Sequence, residues 1–238
     1  MTLFVTLYVH SLLYLHSDME NKIIVFANQK GGVGKTTICT LFANYLAQKN
    51  KDVLVIDADL QKSIFTQREM DVQAYDDEEP PYLVQAISVD DADTVQTVMD
   101  SASQMPGWVL FDAPGNISQD GLVSLFTNAD AIVCPYMYDT RTLNSTGVFI
   151  KVMDQLKALY PDMKAQLFFI PNRIDNRVGK RAEIDMWKST DTLLNIHGKV
   201  CPIIPNRVSL SRADTYTLSK EDAQIVKKTF DYIIKNLK

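Results

Sequence analysis

A chain of 238 residues is long enough for one large α/β domain or two small ones, with room for a substantial core. A formal net charge of −5, with 46% hydrophobic and 22% charged residues, fits an ordinary globular protein and excludes one that coats nucleic acid by bulk positive charge. Cys39, Cys134 and Cys201 form an odd set without a CxxC pair, which argues against a disulfide framework and for buried thiols in a reducing compartment.

Residues 2–15 are apolar and uncharged apart from His10, and they precede the first charged residues, Asp18 and Glu20. The stretch lacks the basic start and small-residue cleavage site of a secretory signal, and it is short for a bilayer span. Met19 stands immediately before a sensible domain start, so residues 1–18 are expected to be an extension outside a single domain running from 19 to 238. A membrane-contacting helix is the alternative for this stretch.

The run 22–27, KIIVFA, reads as a buried strand, and 38–48 reads as a helix. Between them lies Asn28-Gln29-Lys30-Gly31-Gly32-Val33-Gly34-Lys35-Thr36-Thr37. A glycine-rich turn lets backbone N–H groups close around phosphate oxygens with no Cβ in the way. Lys35 would bring a point charge to the β/γ-phosphates, the Thr36 hydroxyl could ligate Mg²⁺, and the helix dipole would face the anion. A chance glycine-rich turn does not explain the strand–loop–helix context. The loop departs from GxxxxGK[ST] in that Gln29 replaces the first glycine and a second lysine, Lys30, sits inside it.

A second strand at 53–57 is followed by Asp57-Ala58-Asp59-Leu60-Gln61, and the acidic, proline-bearing run 75–81 is expected to be an exposed loop. A helix at 91–101 and a strand at 108–112 lead to Asp112-Ala113-Pro114-Gly115. Aspartates at strand carboxyl ends lie where open α/β sheets bind ligands, although Asp57 or Asp59 could instead cap the following helix. Strands at 131–135, 167–171 and 200–204 alternate with helices at 142–159, 181–196 and 220–237. That alternation predicts an α/β fold with a mostly parallel central sheet and helices on both faces. The last helix carries Ile225, Val226, Phe230, Ile233, Ile234 and Leu237 among lysines, a pattern suited to core packing or to a membrane surface.

With its internal Lys30, the phosphate loop resembles that of the ParA/MinD family of dimerising ATPases, which have the P-loop NTPase fold. The short spacing between the two aspartate segments is most similar to small ParA partition proteins of plasmids and conjugative elements. The resemblance implies an ATP-binding site made by Lys30, Gly31, Gly32, Val33, Gly34, Lys35, Thr36 and Thr37, with Asn172, Arg173 and Pro205 around the base. Asn172 would read the adenine edge with its donor and acceptor. It further implies that Lys30 reaches the nucleotide of a partner in a homodimer, and that Asp59 serves water activation. Asp112 would hold Mg²⁺ through a water, and 112–118 would be a switch segment freed by Gly115.

By the same resemblance, the protein is a cytoplasmic, nucleoid-associated switch ATPase that hydrolyses ATP slowly. It would bind DNA nonspecifically in its ATP state and depend on a separate DNA-binding adaptor to partition plasmid or mobile-element DNA. Lys199, Arg207 and Arg212 are the candidate phosphate contacts, although Ser209 stands where many relatives place an arginine. Arg173, Arg177, Lys180 and Arg181 form a second candidate patch. MinD-like positioning on a membrane is the alternative function, and membrane association is the less expected of the two. A ligating or phosphorylating metabolic enzyme would need a substrate motif that is not evident, and a metal-delivery ATPase would need paired cysteines. The histidines do not cluster in sequence, so no protein-built metal site is expected.

Overall fold

The computed structural model describes residues 21–116, 121–175 and 181–237. The expectation for residues 1–18, and those resting on Ser118, Arg177 and Lys180, lie outside the described residues.

Seven strands form one sheet, in the order β3-β2-β4-β1-β5-β6-β7, with every neighbouring pair parallel. They are β1 (Asn21–Phe26), β2 (Val53–Asp57), β3 (Leu83–Ala86), β4 (Gly107–Asp112), β5 (Ala131–Tyr136), β6 (Gln166–Pro171) and β7 (Lys199–Val200). The helices are α1 (Lys35–Ala47), α2 (Ser63–Ala74), α3 (Ala92–Ser103), α4 (Gly121–Asn128), α5 (Thr140–Leu159), α6 (Arg181–His197), α7 (Val208–Ser211) and α8 (Lys220–Asn236).

Strand β1 shows why the sheet is parallel and covered on both faces. From Ile23 to Phe26 its side chains are all apolar, and side chains alternate between faces along a strand. Ile23 and Val25 enter one core layer with Val95 and Met99 of α3, Phe126 of α4 and Phe149 of α5. Ile24 and Phe26 enter the other, with Phe42 of α1 and Phe230 of α8. The three cysteines are divided between these layers, all free and buried.

Helix α8 spends its apolar face on the core. Val226, Phe230 and Ile233 are fully buried, and the Phe230 ring lies 5.0 Å from that of Phe42 and 5.4 Å from that of Tyr45. Of the two uses open to this segment, core packing is the one observed. No described helix is long and apolar enough to cross a membrane.

Among the described residues, three helices start on side-chain caps. Asp91 accepts from the N–H groups of Asp93 and Thr94, Asp139 from Thr142, and Ser219 from Asp222. Each satisfies donors that the first turn leaves orphaned. Helix α1 differs: Gly34 precedes it in the left-handed region, at φ 96°, with no side-chain cap.

The structure corrects the expected strand at 200–204. The Cys201 N–H still donates to the Phe169 carbonyl, but the next bond to β6 comes three residues on instead of two, so the regular ladder ends at Val200. The chain rejoins β6 irregularly, through Ile204 N–H to the Pro171 carbonyl and a bridge between Ile174 and Pro205. Strand β3 and helices α2, α4 and α7 are additions to the sequence expectation. The run 76–81 is exposed and non-helical, as its composition requires.

Candidate functional site

The carboxyl ends of β1, β2 and β4 converge. In register, Asp112 lies beside Phe26 on one side and Asp57 on the other, so two carboxylates stand level with the start of the phosphate loop. Gly32 (φ 80°) and Gly34 (φ 96°) take backbone conformations that side chains resist. An added Cβ at Gly31 or Gly32 would meet nothing within 4 Å, which leaves the loop surface open to a ligand. Lys35 is buried at the head of α1, and a Cβ on Gly115 would lie 3.6 Å from its Nζ. The segment after β4 thus borders the loop's lysine.

Asp112 is 1% exposed, and among the described residues neither carboxylate oxygen meets hydrogen-bond geometry with a partner. Burial pushes its pKa up to about 7. The Thr36 hydroxyl and Lys35 pull the other way without offsetting burial, while the charges of Asp57 and Asp59 add to the rise. A buried carboxylate without a partner is costly in water-excluding surroundings. Two hard oxygens next to a threonine hydroxyl are the donor type that Mg²⁺ takes, so these residues fit such an ion.

The two aspartates of the Asp57-Ala58-Asp59 run make different contacts. Asp57 Oδ2 accepts from the N–H groups of Ile64 (2.8 Å) and Phe65 (3.1 Å), which caps α2 across the intervening turn. Its Oδ1 accepts from Asp59 N–H at 3.2 Å, and burial raises its pKa against these hydrogen bonds. Asp59 is half-buried, and among the described residues its side chain accepts only the Gln61 N–H, at 2.9 Å.

Asn28, which no sequence motif singles out, proves to be a fixture of the loop. Fully buried, it donates to the Pro135 carbonyl (2.8 Å) and to Thr146 Oγ1 (3.1 Å), and it accepts from Lys30 N–H (3.3 Å). The available signal was its place two residues before Lys30, where an Asn can fold an Asx turn.

A family model described as the CobQ/CobB/MinD/ParA nucleotide binding domain matches residues 24–219. The chain belongs to that family. Among solved structures, apo McdA from Cyanothece aligns with a TM-score of 0.70 at 18% identity, covering 91% of this chain and 99% of the other. A plasmid partition protein from Borrelia burgdorferi bound to AMPPNP gives 0.70 at 17% identity, with the same coverage. MinD from Aquifex aeolicus gives 0.63 at 17% identity, covering 90% and 98%. These likenesses establish the P-loop NTPase fold. An uncharacterized protein of Methanocaldococcus jannaschii is 59% identical over 39 residues, a segment that makes up 16% of this chain and 15% of that relative.

Within this CobQ/CobB/MinD/ParA domain, the expected nucleotide residues fall into two groups. Lys30 to Thr37, Asp59 and Asp112 gather at the carboxyl ends of β1, β2 and β4. Asn172, Arg173 and Pro205 lie across the loop, where with Thr37, Ile38, Arg207 and Leu210 they line a shallow cleft. Asn172 is 4% exposed, and its Nδ2 donates to the Val33 carbonyl at 2.8 Å. Arg173 is exposed and donates from Nη1 to the Gly32 carbonyl at 2.9 Å.

The expected basic trio is not brought together. Arg207 and Arg212 are exposed at the two ends of α7. Lys199 instead lies toward the amino edge of the sheet, where its Nζ donates to the Gln166 side chain (3.2 Å) and to the Asn236 carbonyl at the end of α8 (2.9 Å). Its charge there complements a helix carboxyl terminus. Among the described residues, no group of three or more His, Cys, Asp or Glu could hold a metal ion.

Proposed function

We propose that this protein is an ATP-dependent dimerising switch ATPase that partitions or positions plasmid or mobile-element DNA. The observation that carries the proposal is the buried, partnerless Asp112 carboxylate beside Thr36 and Lys35 at the mouth of the phosphate loop. Thr36 and, through a water, Asp112 would hold Mg²⁺, which when bound draws charge from the phosphate oxygens. Lys35 binds the β/γ-phosphates of ATP, and Asp59, free of the capping duty that occupies Asp57, orients the attacking water. Lys30 of a second copy would add positive charge where the γ-phosphate leaves. Phosphoryl transfer needs such positioning and charge more than covalent chemistry.

Arg207 and Arg212 are the phosphate contacts of this reading, doubled in a dimer, because affinity for DNA rises steeply with the number of phosphates neutralised. A separate adaptor would stimulate hydrolysis and release. The similarity to MinD supports a membrane-positioning alternative, but the use of the α8 apolar face in the core leaves that helix little to offer a bilayer.

DNA co-sedimentation of wild type, Asp59→Ala and Lys30→Ala, with ATP, ADP or no nucleotide across a salt series, tests the proposal. Salt-sensitive retention that needs ATP, persists in Asp59→Ala and is lost in Lys30→Ala is expected. Absence of DNA binding in every state would reject the DNA-directed function.

A further inference from the structure

We propose that Asn172 and Arg173 act as a tandem brace that sets the peptide planes of the phosphate loop, so that they contribute to binding through the phosphates. This rests on the loop being the phosphate site.

Two neighbouring residues donate to two neighbouring carbonyls: Asn172 to Val33, and Arg173 to Gly32. Successive side chains leaving a strand normally point to opposite sides. Here the backbone of Arg173 adopts φ 57°, in the left-handed region, which breaks the alternation and turns both side chains onto one loop. That conformation is costly for an arginine and persists only where the surroundings hold it.

The surroundings do hold it. Asn172 N–H donates to the Tyr136 carbonyl of β5 at 2.8 Å, and Ile174 is bonded on both sides to the 204–206 segment. On the loop side, Gly34 approaches so closely that a Cβ would collide with Asn172 Nδ2.

Peptide geometry converts these two bonds into function. In a trans peptide the carbonyl and the following N–H point opposite ways across a rigid plane. Drawing the Gly32 and Val33 carbonyls toward β6 therefore turns the N–H groups of Val33 and Gly34 to the far side of the loop, where phosphate oxygens are cradled. A cradle whose donors are already aimed does not spend binding energy on aiming them. One of the two Asn172 Nδ2 hydrogens is thereby committed to Val33.

Calorimetric titration of wild type, Asn172→Ala, Arg173→Ala and Arg173→Lys with Mg²⁺ and either ATP or inorganic tripolyphosphate separates the two roles, with circular dichroism checking that each variant folds. The brace predicts that Asn172→Ala weakens both ligands by a similar factor, about 3- to 10-fold for a lost hydrogen bond. It also predicts that Arg173→Ala weakens both alike and that Arg173→Lys, which restores a donor, recovers much of the loss. If Asn172→Ala does not fold, the Arg173 pair decides alone.

Weakened ATP with unchanged tripolyphosphate would assign the residues to base recognition and overturn the brace. Wild type that binds ATP but not tripolyphosphate would overturn it too. Wild type that binds neither would instead remove the nucleotide-site reading, and the brace with it.

Discussion

Replacing Asp112 by Asn should stabilise the nucleotide-free, metal-free protein even as it cripples the site. In the fold the carboxyl is pushed from its ordinary 3.8 to about 7 by burial, with Asp57 and Asp59 adding repulsion. Because the folded pKa is raised, ionisation of this group opposes folding. Its cost is absent below the unfolded pKa near 4, grows as pH rises, and is complete above about 7. The full displacement corresponds to a ceiling of about 4 kcal/mol at pH 8. Asn has the same shape and no charge, although its amide still lacks a partner, so a net gain of about 1–3 kcal/mol is expected at pH 8. Urea denaturation of wild type and Asp112→Asn in EDTA at pH 8 and pH 5 measures the difference. The advantage of the amide over the wild-type carboxylate should shrink by about 2–3 kcal/mol between those pH values. An Asn variant that is less stable than wild type by the same amount at both pH values would refute the claim that Asp112 is held ionised at a cost.

Gly34→Ala should cost about 1–3 kcal/mol of stability, because φ 96° strains any side chain there, and should lower ATP affinity as Asn172 is displaced from the loop. Thermal unfolding and titration read the two effects, and unchanged ATP binding would contradict the close packing of Gly34 on Asn172. Phe230→Ala empties the contact between α8 and α1 and should cost about 3–5 kcal/mol in denaturant unfolding. A much smaller loss would mean that α8 is only loosely docked. Lys199→Ala should leave ATP-dependent DNA retention intact while trimming about 1 kcal/mol from stability. Arg207→Ala/Arg212→Ala should lower retention and flatten its salt dependence by about 0.9 for each phosphate no longer neutralised. The opposite pattern would move the DNA face to the amino edge of the sheet.

The fold class was legible in the sequence, and the elements that escaped it did so for physical reasons. The central strands are short, wholly apolar runs, and a strand buried on both faces must be so. The glycines of the phosphate loop announce backbone conformations that few other residues accept. Helix α2 was invisible because it does not turn an apolar stripe inward. Its buried positions are Ile64, Arg68 and Asp71, and Arg68 bonds Thr215 and the Tyr82 carbonyl between the rings of Tyr82 and Tyr216. Periodicity detects hydrophobic burial, and it misses a helix docked through a polar network. Strand β3 escaped because four half-buried residues at a sheet edge leave too little pattern. Which of Asp57 and Asp59 caps α2 was equally hidden, since it depends on where the N–H groups of Ile64 and Phe65 point. The same holds for Lys199: charge and proximity in sequence grouped it with Arg207, and the fold carried it away to the end of α8.

The burial of all three thiols has a practical consequence. Cys39 is raised well above an ordinary thiol by burial and by the charges of Asp112 and Asp57, and burial likewise raises Cys134 and Cys201. Alkylating reagents attack the thiolate, so the folded protein should ignore them, and each cysteine becomes a clock for the opening of its own neighbourhood. Cys134 sits in one layer and Cys39 and Cys201 in the other, so the order in which mass spectrometry finds them labelled would reveal which side of the sheet loosens first. A fluorophore could also be attached at a single engineered surface cysteine without removing any native one.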